Sequence, residues 1–238
     1  MRIHVAGENA LIVYMGDAVS ETVTASIHHL CTQLKPYIGN ELIDLVPSYA
    51  SVLVVFDPLK TDHLQVRSWI RFASEPHFHS AESDQRRIVR LPVYYAGVDL
   101  KVIADRADLS PDAVIEKHTK QHYQVYAIGF APGFAYLGEV DESIAAPRLS
   151  TPRKQVPKGA VAIADRQTAV YPNESPGGWN IIGFCPVPMF DAHAHPTMPV
   201  TSGDHIEFYA IDKETFISMG GELPKAEFLL NQTAETAS

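Results

Sequence analysis

The chain has 238 residues, 46% of them hydrophobic and 20% charged, and a formal charge of −9. That balance is ordinary for a soluble globular protein and is enough for one large core or two small ones. An acidic chain without a Lys/Arg stripe argues against nucleic acid as the main partner, and no apolar run reaches the roughly 18 residues of a membrane span.

The N-terminus, MRIHVAGENALIVYMGD, alternates and has no apolar run followed by small residues. It therefore does not read as a signal peptide, and the expected location is the cytoplasm. Ile3 to Tyr14 reads as two strands broken at Gly7-Glu8-Asn9, with Leu11, Val13 and Met15 on one face. Ser20 caps a helix from Glu21 to about Leu34, whose apolar residues recur at helical spacing and which Pro36 is expected to end.

Leu42 to Val46 and Ser51 to Phe56 read as strands, the second an apolar run expected at the sheet centre with both faces covered. Asp62 or Thr61 then starts a helix through Val66, Trp69, Ile70 and Phe72. This β-β-α-β-β-α series predicts a small α+β, ferredoxin-like domain over residues 1–80, followed by a linker from Ala73 to Gln85.

After Arg90 the pattern changes. Ile88 to Tyr95 is strand-like and Asp99 to Ala107 a short helix. Ser110-Pro111-Asp112 supplies an N-cap, a proline at the first helical position and a first-turn acid for a helix to about Gln121. Short apolar runs then alternate with Pro/Gly turns, at Val125–Ile128, Val161–Ile163, Thr168–Tyr171, Trp179–Phe184 and Ile206–Ile211. Many short strands of this kind predict a barrel or sandwich, placed at residues 86–222.

Cys31 and Cys185 are the only cysteines, too few for a disulfide framework or a four-cysteine zinc site. His77 with His79, His193 with His195, and His118 with His122 have ligand-like spacing. None has nearby Cys, Asp or Glu to complete a set, so no metal site is expected. There is no GxxxxGK[ST] loop, no GxGxxG unit and no G-x-S-x-G elbow. Gly177-Gly178, after Ser175, is either a small anion-binding nest or a turn into the Trp179 strand.

The polar candidates gather elsewhere. His118 shares a helix face with Val114 and Ile115, so it points into the domain as a core histidine or a general base. Arg148 and Arg153 each follow a proline, which suits a stiffened carboxylate or phosphate grip. Gln167 and Thr168 offer an amide and a hydroxyl at a strand turn. The stretch GFAPGFAYLG, residues 129–138, leaves a strand as a loop. Pro132 stiffens it, Gly129 and Gly133 permit close approach, and Phe130, Phe134 and Tyr136 form an apolar wall beside His118 or a plug.

GFAPGFAYLGEVD, TPRKQVPKGAVAIADRQTAVYP, SPGGWNIIG, MFD and SGDHIEF occur in this order. They resemble the family of KipI, the B-type subunit of 5-oxoprolinase and the first subunit of allophanate hydrolase. The early GENAL and VPSY stretches extend the resemblance over essentially the whole chain. It implies a small α+β domain followed by a cyclophilin-like β-barrel. It also implies work with a C-type cyclophilin-like subunit and a further subunit, using ATP with Mg at the level of the complex to open the lactam of 5-oxoproline to glutamate. Such a polypeptide would be inactive or weakly active alone.

By the same resemblance, His118, Arg153, Gln167 and Thr168 are catalytic candidates. Phe130, Pro132, Gly133, Phe134, Tyr136, Arg148, Ser175, Gly177 and Gly178 are the binding candidates. The family also contains kinase-inhibitor and urea- or allophanate-processing members, which are the alternative functions. Where the family commonly has glycine, this chain has Asp165 and Ala169; Phe190-Asp191-Ala192 and Ser202-Gly203-Asp204 are smaller departures.

Overall fold

Strands β1 (Arg2–Val5) and β2 (Ala10–Tyr14) pair antiparallel across the Gly7-Glu8-Asn9 break. Leu11 and Val13 are fully buried with Met15 packed beside them, the one-faced alternation expected. The structure is a computed structural model that describes residues 1–18, 20–74, 87–224 and 228. The chain divides into two compact units, 1–86 and 87–238. The linker beyond Ser74, the His77 and His79 pair and most of the C-terminal tail fall outside the described residues.

Ser20 caps α1 by accepting from the Val23 N–H. The helix runs Glu21–Ile38, so Pro36 does not end it. Pro36 removes the bond to the Thr32 carbonyl, but both residues are exposed, where water can replace it. Fully buried Ile38 keeps the last turn wound, and Gly39, at φ 56°, stops the helix with its N–H on the Lys35 carbonyl.

Strands β3 (Leu42–Pro47) and β4 (Ser51–Phe56) complete an antiparallel sheet of order β1-β2-β4-β3. β4 is central, as expected, but only one face is fully covered. Val52, Val54 and Phe56 are buried against α1 and against α2 (His63–Ala73), whereas Leu53 and Val55 are half-buried. Both helices pack on the same side, so β4 alternates instead of being apolar throughout. Ala73 is a buried residue of α2 rather than the start of a linker.

The second unit begins with β5 (Ile88–Val93), α3 (Leu100–Ala107) and α4 (Pro111–Lys120). β6 (His122–Ile128), β7 (Ala135–Gly138), β8 (Arg153–Val156), β9 (Ala160–Ala164) and β10 (Gln167–Val170) follow. β11 (Ser175–Gly177), β12 (Asn180–Phe184), β13 (His205–Ala210) and α5 (Lys213–Ser218) complete it. Seven strands form one sheet of order β12-β9-β10-β7-β6-β13-β5, and β8 with β11 forms a separate ribbon. Among the described strands only β13 and β5 pair parallel.

The sheet curls into a half-barrel until its outer strands meet. Tyr94, just past β5, and Phe184, at the end of β12, exchange N–H···O=C bonds of 2.9 Å in both directions. Gly97 lies against this junction, where a Cβ would sit 2.3 Å from the Ile181 carbonyl oxygen. Only glycine fits so close an approach. Strand alternation sorts the side chains onto two faces. Val161, Ile163, Val170 and Phe208 pack with Ile103 of α3 and Val114 of α4. Ala160, Ala162, Ala164, Ala169 and Tyr171 face the other way, with Phe134 and Trp179.

Candidate functional site

The sequence candidates separate across the sheet. α4 puts Val114 and His118 one turn apart on its buried side, and His118 is fully buried. Its Nδ1 is 2.7 Å from the Tyr95 hydroxyl and its Nε2 is 3.0 Å from Thr168 Oγ1. Thr168 gives its only hydrogen to the Ala162 carbonyl at 3.1 Å. Nε2 must therefore carry the proton and donate to Thr168, while Nδ1 accepts from Tyr95.

The ring stacks on Phe208 at 4.7 Å, and Tyr123 donates its hydroxyl hydrogen to the His118 carbonyl. Burial holds the His118 pKa down at about 3 and pushes the Tyr95 hydroxyl well above its ordinary range. His118 is thus neutral with both nitrogens occupied. His122, by contrast, is exposed on β6 and lies 3.2 Å from Glu207, so the two histidines do not share a site.

The opposite face carries the rings. The second half of GFAPGFAYLG is a strand, because Ala135 and Leu137 alternate with Tyr136 at period two; only residues 129–134 form a loop. Phe134 is the hub, with ring centres 5.4 Å from Phe130, 4.9 Å from Tyr136, 5.2 Å from Tyr171 and 5.7 Å from Trp179, all edge-on. This wall stands across the sheet from His118, not beside it.

Gly133 turns the chain at φ 83°, where a Cβ would lie 2.4 Å from the Met189 carbonyl oxygen. Gly129 meets no such crowding. Phe130, at the exposed tip beside exposed Pro132, holds φ 72°, a left-handed backbone that a bulky residue adopts only under constraint.

Exposed Arg148 lies with its guanidinium 5.7 Å from the Trp179 ring centre, a cation over an aromatic face. Burial raises the Tyr171 hydroxyl to about 12 against the opposing Arg148 charge, the Trp179 N–H and the Arg153 charge. Gly177 lets that hydroxyl approach, since a Cβ there would be 2.3 Å from it. Neither Gly177 nor Gly178 has positive φ; Gly177 pairs with Arg153 in the ribbon, and the Gly178 carbonyl accepts from Leu149. This geometry fits the turn toward the next strand and not a nest.

Half-buried Ser175 opens β11, and alternation puts Gln167 on the same face as Ala169 and Tyr171. Arg153 is buried beneath this face and paired with Asp99 at 2.8 Å. The structure thus brings the aromatic loop, Arg148, Gln167 and the glycines to one side and puts His118 and Thr168 on the other. Sequence reasoning misses Tyr171, Trp179 and Asp99. The first two lie inside the AVYP and GGWN stretches, and Asp99 gives only the signal of a helix start.

Phe134, Tyr171 and Trp179 are buried, so of this cluster only Phe130, Tyr136 and the Arg148 cation reach the surface, where they can hold the edge of a small polar ring bearing a carboxylate. Residues 1–200 match the family described as carboxyltransferase domain, subdomain C and D. The chain is 35% identical over 227 residues to the B-type subunit of 5-oxoprolinase from Bacillus subtilis (strain 168), a match covering 90% of this chain and 95% of that protein. The protein of the same name from Escherichia coli O157:H7 is 30% identical over 214 residues, covering 87% and 94%. A crystal structure of TTHA0988 superposes with a TM-score of 0.78 at 33% identity, covering 92% of this chain but 41% of that longer one.

Proposed function

The chain belongs to the carboxyltransferase-domain family, subdomains C and D, and from that premise we propose that it is the B-type subunit of an ATP-dependent 5-oxoprolinase, opening 5-oxoproline to glutamate with partner subunits. The observation that carries this reading is the nearly full-length match to two proteins of that name. ATP and Mg are assigned to the assembled complex, together with a C-type cyclophilin-like subunit and a further subunit. The first unit, residues 1–80, reads as ferredoxin-like, its β1-β2-β4-β3 order being that fold's with the last strand moved to the front. Residues 86–222 read as a cyclophilin-like barrel, supported by the Tyr94–Phe184 closure.

Opening a lactam needs a carboxylate grip, a polarised amide and neutralised phosphoryl charge. Exposed Arg148 is positioned to take the carboxylate, and half-buried Tyr136, backed by the buried rings of Phe134, Tyr171 and Trp179, flanks the lactam's apolar edge. The Gln167 amide serves its polar edge. His118 and Thr168 are fully buried, so they act by fixing β10 from beneath rather than by touching substrate. Arg153, also buried, shapes the same face from below.

The test is to co-purify the chain with its candidate partners and measure 5-oxoproline-dependent ATP hydrolysis across a panel of lactams and ureido acids. Turnover with 5-oxoproline above all others is expected. Preference for a ureido acid would move the assignment to urea or allophanate processing, and no turnover with any of them would end the hydrolase reading.

A further inference from the structure

Asp99 breaks the rule of its own position. It stands at the N-cap of α3, where an aspartate ordinarily accepts from first-turn N–H groups, yet its side chain makes no such bond. Its Oδ1 instead lies 2.8 Å from Arg153 Nη2, and its Oδ2 accepts from the Ile181 N–H at 2.6 Å. The side chains of Arg153 and Asp99 are 6% and 7% exposed, a desolvated pair. Arg153 Nη1 in turn donates to the Trp179 carbonyl at 3.3 Å. One carboxylate thus holds residues 179–181 at both ends, directly at the Ile181 amide and through Arg153 at the Trp179 carbonyl.

The ring held by that backbone is the one under Arg148. Stability alone does not call for such a device, because an apolar pair of similar volume usually stabilises a core as well or better. A local preference given up at a buried charge is expected where geometry matters for function. We propose that Asp99 is a positioning residue, which acts through Arg153 to fix Trp179, and with it Arg148, on the aromatic face. Its effect on catalysis rests on the reading of that face as the substrate wall; its effect on Trp179 does not.

The test uses Trp69→Phe as background, leaving Trp179 as the only tryptophan of the chain. Asp99→Asn and the double variant Asp99→Leu/Arg153→Met are compared, by fluorescence in the full chain and by kinetics in the reconstituted complex. Acrylamide quenching of Trp179 is expected to rise about twofold in both. KM for 5-oxoproline should rise about tenfold with kcat little changed, the signature of lost binding. Asp99→Asn should also lower Tm, since it leaves Arg153 buried without its counter-charge. The double variant should keep the wild-type Tm or exceed it, which separates positioning from folding. Wild-type quenching in the well-folded double variant would overturn the proposal. Raised quenching with unchanged KM would uphold the tie and remove the aromatic face from substrate binding. Should the wild-type complex lack 5-oxoprolinase activity, quenching still decides the role of Asp99.

Discussion

The two faces of the seven-stranded sheet carry equally suggestive residues in opposite physical states. Beneath it, His118 has both nitrogens bonded and its charge suppressed by burial. On the other side, Arg148 is exposed at the edge of a ring cluster. The contrast teaches that residue type does not make a site. A saturated, desolvated histidine has no free nitrogen to offer a ligand, whereas an accessible cation beside apolar surface can still exchange water for one.

The largest effect should come from the charge that joins the faces. Arg153→Ala strands Asp99 in the core and is expected to cost about 3–5 kcal/mol in denaturant unfolding. A cost under about 1 kcal/mol would show that the pair is not desolvated as the geometry indicates. At the exposed edge of the ring cluster, Arg148→Ala should lose about 2–3 kcal/mol of transition-state binding, roughly 30- to 150-fold in kcat/KM. Its melting temperature should stay within a degree or two; comparable losses in both would erase the contrast.

The sealed face has a pH signature. His118 titrates near 3 in the folded chain against an ordinary 6.5. Below pH 6.5 the unfolded chain takes up a proton that the native chain refuses. Its contribution is therefore complete above pH 6.5 and declines by about 1.4 kcal/mol per pH unit as pH falls toward 3. His118→Gln should remove that part of the slope, read as the difference between two stability-versus-pH curves. Matching slopes would mean that His118 is protonated in the native state.

The smallest effect is expected at Asp165, which stands at φ 52° in the β9–β10 turn. Asp tolerates this region, and glycine's gain there is offset by its greater unfolded-state freedom. Asp165→Gly should change stability by no more than about 0.5 kcal/mol, measured by denaturant unfolding.

Much of the fold is legible in the sequence because caps and periodicity are local. Ser20, Asp62 and Ser110 each cap the helix they announce. Sequence reasoning fails where tertiary contacts override local preference. Buried Ile38 carries α1 past Pro36, and the pairing of β7 with β6 and β10 draws the end of a glycine-rich stretch into the sheet. The site is legible in its parts but not in its partition. Adjacent Gln167 and Thr168 read together as the polar groups of one strand turn, yet strand alternation sends them to opposite faces. Asp99 stays hidden because an N-cap that declines to cap looks the same in sequence as one that does.

The most direct test of the Arg148 edge labels the Trp69→Phe chain with 5-fluorotryptophan and assembles it with unlabelled partners. The Trp179 fluorine resonance is then followed while 5-oxoproline is titrated. A saturable shift is predicted, with midpoint near KM, and it should be lost in Arg148→Ala. A complex that turns over 5-oxoproline while the Trp179 resonance stays constant through saturation would contradict the account.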